Sequence, residues 1–358
     1  MNNKIKIAFL INYITNGGPS NVVLNLINGL DKNIFDIFLI TFFNENNKEI
    51  IKKLQNNNIK VINCDIKSRK RVLLTGKKIL EKIIINNQIQ IIHSHGFIPD
   101  IVSSNIKKIK SLSTIHNNIL EDYKNEYGRL KAIMYYTIHL HFLKRINKCV
   151  CCSESVYNVL KSKIKDCTFI RNGIANTSID KIITRESLKI KDTDIVFIYV
   201  GVINTRKNVK KLCELFKNTY MPNEYLLIVG DGPEKSKCEE IKCNNIIFIG
   251  YDNSPVNYMN ISNIYVSASK AEGFSISILE ALDNGLNLLL SDIPSHREII
   301  NIDENINIGT LFLEKNFEKK KMEIVNNLNS KEIIKNYKNQ YLSDKEMVGK
   351  YKKIYEEL

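Results

Sequence analysis

The sequence predicts an α/β protein of two doubly wound domains, each a parallel sheet with helices on both faces. Three observations predict it. The 358 residues suit two domains of roughly 150 residues each. Short β-branched runs alternate with longer helical patterns, as βα units do. The runs are solidly apolar rather than alternating, as strands covered on both faces require.

Each element follows in order. Residues 5–11 form the first strand, then a Gly-Gly turn, then apolar positions at helical spacing over 20–30. Residues 37–42 form a strand, 49–56 a helix, and 60–63 start another strand. A helix over 71–86 leads to a strand over 89–93. Residues 119–148 carry one long helical pattern of aromatic, leucine and basic residues. Residues 176–194 have no period and read as the inter-domain connection. The same grammar restarts with strands at 195–201, 225–229, 246–249, 264–267 and 286–290, and a charged helical tail begins at Asn329. The expected division is 1–175 and 176–340, with a helix over 341–358 packing back on the first domain. Each such sheet collects its strand C-terminal ends and helix N-termini on one edge, where ligands bind. Two facing edges would make a cleft suited to a nucleotide or phosphate.

Charge is unevenly spread. Residues 1–175 hold 27 basic and 12 acidic side chains, a net of +15; the remainder holds 25 and 26, a net of −1. A basic half points to a polyanionic partner, although an AT-rich gene would also enrich lysine. Residues 67–82 (KSRKRVLLTGKKILEK) and 107–110 are dense in positive charge, and with the aromatic stretch 119–148 they suit an anionic bilayer surface. They would equally suit a core stripe with solvated lysines. Nucleic acid is disfavoured, because the aromatics make no interleaved stacking platform. The start is too brief for a secretory segment, and no run spans a bilayer. The expected location is cytoplasmic or peripheral on the inner membrane face. The eight cysteines are then expected as free thiols. Cys149 and Cys152 make a C-x-x-C inside a buried strand, with no second pair at zinc spacing, so no metal site is expected.

The sharpest motif is AEGFSISILE, 271–280. A strand runs into a loop holding Glu272 and Gly273, then into a helix starting near Ser275. Gly273 lets backbone approach a ligand. Backbone N–H groups at Phe274, Ser275, Ile276 and Ser277 can bind a pyrophosphate at the helix start. Glu280 can grip a ribose diol, and Glu272 can hold sugar hydroxyls. Taken alone, the glutamates could also be ordinary helix-start acids.

These residues do not stand alone. The string resembles the two-glutamate signature of the retaining nucleotide-sugar glycosyltransferases of family four, whose fold is GT-B: two doubly wound Rossmann-like domains facing each other across a cleft. Other segments match in the family's order: Asn16-Gly17-Gly18-Pro19, the H-x-H of His93 and His95, His116 in STIHN, residues 150–155, RNGI at 171–174, Gly201 through Arg206-Lys207-Asn208, LIVGDGP at 227–233, and 291–298. The resemblance covers roughly residues 5–300.

The resemblance implies roles. Gly17 and Gly18 would turn backbone toward the donor, with Gly230 and Tyr251 among the donor contacts. His116 would lie beside the donor sugar and His95 on the acceptor side. Arg206 and Lys207 would neutralise the leaving diphosphate, a forked contact and a point charge respectively. Where the family has arginine directly after the glycine, this sequence has Val202, and Arg206 is taken to supply that charge. The loop would also suit a plain exposed turn. Asp192-Thr193-Asp194 has the letters of a metal motif but precedes its strand. The implied enzyme is a metal-independent, front-face, retaining hexosyltransferase without a resident cofactor. Its donor would be a nucleotide-sugar such as a UDP-sugar. Its acceptor would be a glycan or polyprenyl-diphosphate-linked saccharide in surface polysaccharide biosynthesis. A nucleotide-sugar epimerase or hydrolase of the same fold, or a non-catalytic binding subunit, would share these motifs.

Overall fold

The computed structural model describes residues 4–15, 17–45 and 47–358. The chain divides into two compact units, Met1–Gly173 with Asp344–Leu358, and Ile174–Ser343.

The first unit holds β1 (Ile5–Ile11), β2 (Phe35–Thr41), β3 (Lys60–Asn63), β4 (Ile91–His95), β5 (Lys110–Ile115), β6 (Lys148–Cys151) and β7 (Cys167–Phe169). They pair in the order β3-β2-β1-β4-β5-β6-β7, all parallel. The second unit holds β8 (Ile195–Val200), β9 (Glu224–Val229), β10 (Ile246–Gly250), β11 (Ile264–Ser267), β12 (Asn287–Ser291) and β13 (Gly309–Phe312), in the parallel order β10-β9-β8-β11-β12-β13. The order reverses between β1 and β4 in one sheet and between β8 and β11 in the other. These switch points are where doubly wound sheets open a crevice at their strand C-terminal ends.

Burial explains the solid apolar strands. Ala8, Leu10, Phe38, Ile40 and Ile92 pack with Val72, Leu80 and Val102 from the helices. In the second unit Phe197, Leu226, Ile228 and Val266 pack with Leu212 and Phe216. Serine or asparagine caps start several helices: Ser68 Oγ accepts from Arg71 N, Asn118 Oδ1 from Glu121 N, and Ser153 Oγ from Val156 N.

Three details differ from the sequence reading. The long helical pattern over 119–148 is two helices, Ile119–Tyr127 and Arg129–Leu143, followed by β6. Gly128 takes φ +78°, outside helical geometry, and breaks it. The strand expected at 89–93 lies at Ile91–His95, which carries His95 into the sheet. The short strands β7 (CTF) and β13 (GTLF) lack the unbroken apolar run that marks strands such as β1 and β8. The eight cysteines are free thiols, with Cys149 and Cys152 buried.

The C-terminal helix Asp344–Glu357 belongs to the first unit. It buries Tyr351 and Tyr355. Tyr355 Oη stands 2.7 Å from His93 Nδ1, and Tyr351 Oη 2.7 Å from Thr114 Oγ1, which itself stands 2.7 Å from His93 Nε2. His93 is therefore spent on structure. In the second unit, buried Lys338 pairs with Asp283 (2.9 Å) and reaches Asn176 Oδ1 (3.0 Å). Asp283 also accepts from Thr177 N and Oγ1. That cluster ties the start of the 176–194 stretch to the helix Ile276–Asp283.

Candidate functional site

The loop after β8 and the loop after β11 meet at the second switch point. Arg206 Nη1 donates to Glu272 Oε2 (2.8 Å) and to the Ala271 carbonyl (2.9 Å). Lys207 Nζ stands 2.5 Å from Glu272 Oε1, a close ion pair. The Lys270 N–H donates to the Arg206 carbonyl, and Asn208 Nδ2 to Ala268 O. The loops are thus laced by backbone as well as charge. Only 6% of the Glu272 side chain is exposed. Burial pushes its carboxyl upward, but Lys207 and Arg206 together outweigh that and hold it down to about 2.

Glycines let the floor of this site close. A Cβ on Gly230, at φ +145°, would fall 2.0 Å from the Gly201 carbonyl oxygen. The Gly230 N–H donates to Gly250 O, which brings the loop bearing Tyr251 against the same edge. Tyr251 is exposed, and its hydroxyl donates to Asn253.

The helix Ile276–Asp283 starts at Ser275, whose side chain makes no capping bond. The N–H groups of Ile276 and Ser277 have no acceptor among the described residues. Ser277 Oγ is held by Tyr265 Oη (2.9 Å) and Ser275 Oγ (3.1 Å), while Gly273 and Phe274 are buried in the preceding loop. This helix start can take a phosphate through backbone N–H groups. Glu280 is half-buried on the same helix, and no cation or hydrogen-bond donor among the described residues pairs with its carboxylate. Burial, with the Asp283 charge adding, raises it to about 7.

In the first unit the corresponding edge gathers Gly17, Gly18, His95 and His116. Gly17 caps the helix Gly18–Gly29, the next element after β1, and Pro19 occupies its first turn. Asn16 lies outside the described residues. His95 ends β4 and His116 follows β5. His95 Nδ1 is 2.9 Å from His116 Nε2.

Sequence reasoning passed over His296. It is fully buried, and its Nδ1 is 2.8 Å from the Ser291 carbonyl, so that nitrogen carries the proton and donates. Its Nε2 has no partner among the described residues. Burial lowers the ring to about 4, against the pull of the nearby Glu272 charge. A histidine in PSHRE has no distinguishing spacing. The adjacency of β11 and β12 is what brings it to Glu272.

The residues therefore fall into two groups. Arg206, Lys207 and Glu272 are in direct contact within the second unit, with Gly230, Gly273 and Glu280 on the same strand-end edge. Gly17, Gly18, His95 and His116 belong to the first unit.

Comparison with known proteins places these groups in context. The family model described as Glycosyltransferase Family 4 matches residues 16–177, and that described as Glycosyl transferases group 1 matches residues 180–341. The chain is 24% identical over 313 residues to the O-antigen biosynthesis glycosyltransferase WclY of Escherichia coli, covering 82% of each. It is 23% identical over 249 residues, 62% of each, to the UDP-Gal:alpha-D-GlcNAc-diphosphoundecaprenol alpha-1,3-galactosyltransferase of Escherichia coli. The crystal structure of Anabaena HepE in complex with UDP and glucose superposes at a TM-score of 0.77, over 99% of this chain and 100% of that one, at 14% identity.

Proposed function

Because this chain belongs to the GT-B glycosyltransferases, its front half of family four and its rear half of group one, we propose that it is a retaining enzyme of surface polysaccharide biosynthesis. It moves a sugar from a UDP-sugar to a glycan or polyprenyl-diphosphate-linked saccharide. The observation that carries this reading is the Arg206–Glu272–Lys207 contact at the second switch point, with the unpaired Glu280 carboxylate on the following helix. Two cations held ready by one buried carboxylate suit a diphosphate whose charge grows as the sugar leaves. Fixed charges of this kind act by electrostatic preorganisation and take the place of a divalent cation. Glu280 then accepts the ribose hydroxyls, and the leaving phosphate itself accepts the acceptor's proton on the front face. The names of the Escherichia coli relatives and the UDP held by HepE support the donor and pathway class.

The test is a screen of nucleotide-sugars by thermal shift, followed by transfer to a polyprenyl-diphosphate saccharide in EDTA. A matching donor at 100 times its Kd stabilises by about 2.7 kcal/mol, and the product keeps the donor's anomeric configuration. Release of free sugar or an epimerised nucleotide-sugar, with no acceptor needed, would overturn the reading.

The basic unit docks on an anionic membrane in this proposal. Among the described residues no helix is long and apolar enough to cross a membrane. However, Leu74 is 80% exposed near the start of the helix Arg69–Asn87, and Leu130 is 88% exposed at the start of Arg129–Leu143, with Leu73, Ile133 and Met134 also exposed. The Arg69 guanidinium lies close enough to the Tyr127 hydroxyl to shift its titration, and Tyr127 stands two residues before Arg129, so the two helix starts are neighbours. Exposed apolar side chains, with Lys67, Arg69, Lys70 and Arg71 around the start of the helix that carries Leu73 and Leu74, suit an interfacial site, at about 1 kcal/mol per basic residue near the surface. Replacing those four by glutamine should release the protein from phosphatidylglycerol vesicles in a sedimentation assay. Undiminished binding would count against membrane docking.

A further inference from the structure

The two histidines of the first unit form a bonded pair. In register, His95 of β4 lies opposite Thr114 of β5, so His116 emerges one step beyond the end of its strand. The rings are nearly parallel, 28° apart with centroids 5.2 Å apart. His95 is 5% exposed, and its Nε2 is buried without a partner among the described residues. His116 is half-buried, and its Nδ1 has no described partner. Burial keeps both rings neutral, lowering His116 to about 4 and His95 well below its ordinary value.

A hydrogen bond between two neutral imidazoles needs one N–H and one lone pair. Only two arrangements meet that need. In one, His116 Nε2–H donates to His95 Nδ1, and His95 must carry its own proton on the buried, partnerless Nε2. In the other, His95 Nδ1–H donates to His116 Nε2, His95 Nε2 is a bare lone pair, and His116 carries its proton on Nδ1. Orphaned buried N–H groups are a rarer defect in folded proteins than under-satisfied acceptors, which favours the second arrangement.

We infer that His95 is a positioning residue that commits His116 to the Nδ1–H tautomer, so that His116 offers a ligand oxygen a hydrogen-bond donor and not a base. This rests on the glycosyltransferase reading only for the identity of that oxygen, a hydroxyl of the sugar or acceptor. The pairing is a property of the first unit alone. It also separates the two sequence-matched histidines: His116 is the one offered to ligand, and His95 acts through it.

Histidine ring-nitrogen NMR on the full chain, labelled with ¹⁵N at histidine, tests this without any substrate. Two-bond proton–nitrogen correlations report which nitrogen of each of the six imidazoles is protonated, and His95→Leu and His116→Gln assign the pair. The expected spectrum shows His116 protonated at Nδ1 and His95 at Nδ1. In His95→Leu the His116 ring should lose its single tautomer. In His95→Asn, whose amide can donate from near the same place, the tautomer should persist. Transfer efficiency should fall on the order of 10- to 100-fold in His95→Leu and recover most of that in His95→Asn. A wild-type His116 protonated at Nε2, or a tautomer unmoved in His95→Leu, would overturn the inference. Spectra as expected with unchanged transfer would remove His116 from the reaction and overturn the donor role, leaving the bonded pair itself intact.

Discussion

Replacing Lys207 with alanine is expected to slow sugar transfer by roughly 10²- to 10³-fold, and Arg206→Ala to do the same, the loss seen when one preorganised charge-stabilising donor is removed. Both side chains are mostly buried, at 11% and 17% exposure, so water does not replace what they supply. Either single variant leaves Glu272 one cation, and its melting temperature should move only modestly. The double variant leaves a buried carboxylate alone, which costs about 3–5 kcal/mol, and it should melt early. Glu272→Gln gives a result of opposite sign for binding. With the carboxylate charge gone, both cations are free for a diphosphate, so UDP should bind at least as tightly while transfer drops. Single variants that keep more than about a tenth of the wild-type kcat, measured by single-turnover transfer, would remove this pair from the chemistry.

Glu280→Gln is expected to weaken UDP and strengthen the fold. The two effects come from one cause. The native carboxyl sits at about 7, above its ordinary 4.5, because burial and Asp283 oppose its charge. A folded value above the unfolded one contributes stability that is present below about 4.5 and lost as pH rises through about 7. The variant should therefore gain on the order of 1–3 kcal/mol at pH 8 and nothing near pH 4.5, read from urea unfolding at several pH values. Hydrogen bonds from ribose hydroxyls to the ionised carboxylate are lost in the variant, so UDP affinity should fall roughly 10- to 100-fold. Because ribose favours the ionised form, wild-type affinity should rise with pH through about 7 and binding should release a proton. Calorimetry in buffers of different ionisation heat measures that proton. UDP affinity unchanged by the substitution would separate Glu280 from the ribose.

Much of the fold was legible because burial on both faces writes strands as unbroken apolar runs, as in IKIAFLI of β1 and IVFIYV of β8. What escaped was short or interrupted. β7 has three residues and no readable period, and Gly128 splits a pattern that looks continuous by apolar spacing alone. The candidate site divides in the same way. Glu272, Gly273 and Glu280 are close in sequence, so local spacing could single them out. Lys207 lies far from Glu272 along the chain, and only the adjacency of β8 and β11 brings them within contact. The His95–His116 bond likewise depends on β4 lying beside β5, and no spacing rule for a lone histidine contains that. His296 depends on a carbonyl, which has no letter in a sequence at all.

The helix Asp344–Glu357 has a consequence for how the protein is made. Tyr351 and Tyr355 complete the hydrogen bonds of His93 and Thr114, yet they are translated after the whole of the second unit. At 5–20 residues per second, the ribosome takes roughly 10–40 s to travel from the end of the first segment to those tyrosines. For that interval the nascent first unit exposes Phe9, Phe35 and the His93 edge that the helix will cover. The helix that closes the first unit therefore emerges only after the second unit has been made, and a chaperone that shields an unfinished sheet has its best opportunity in that interval.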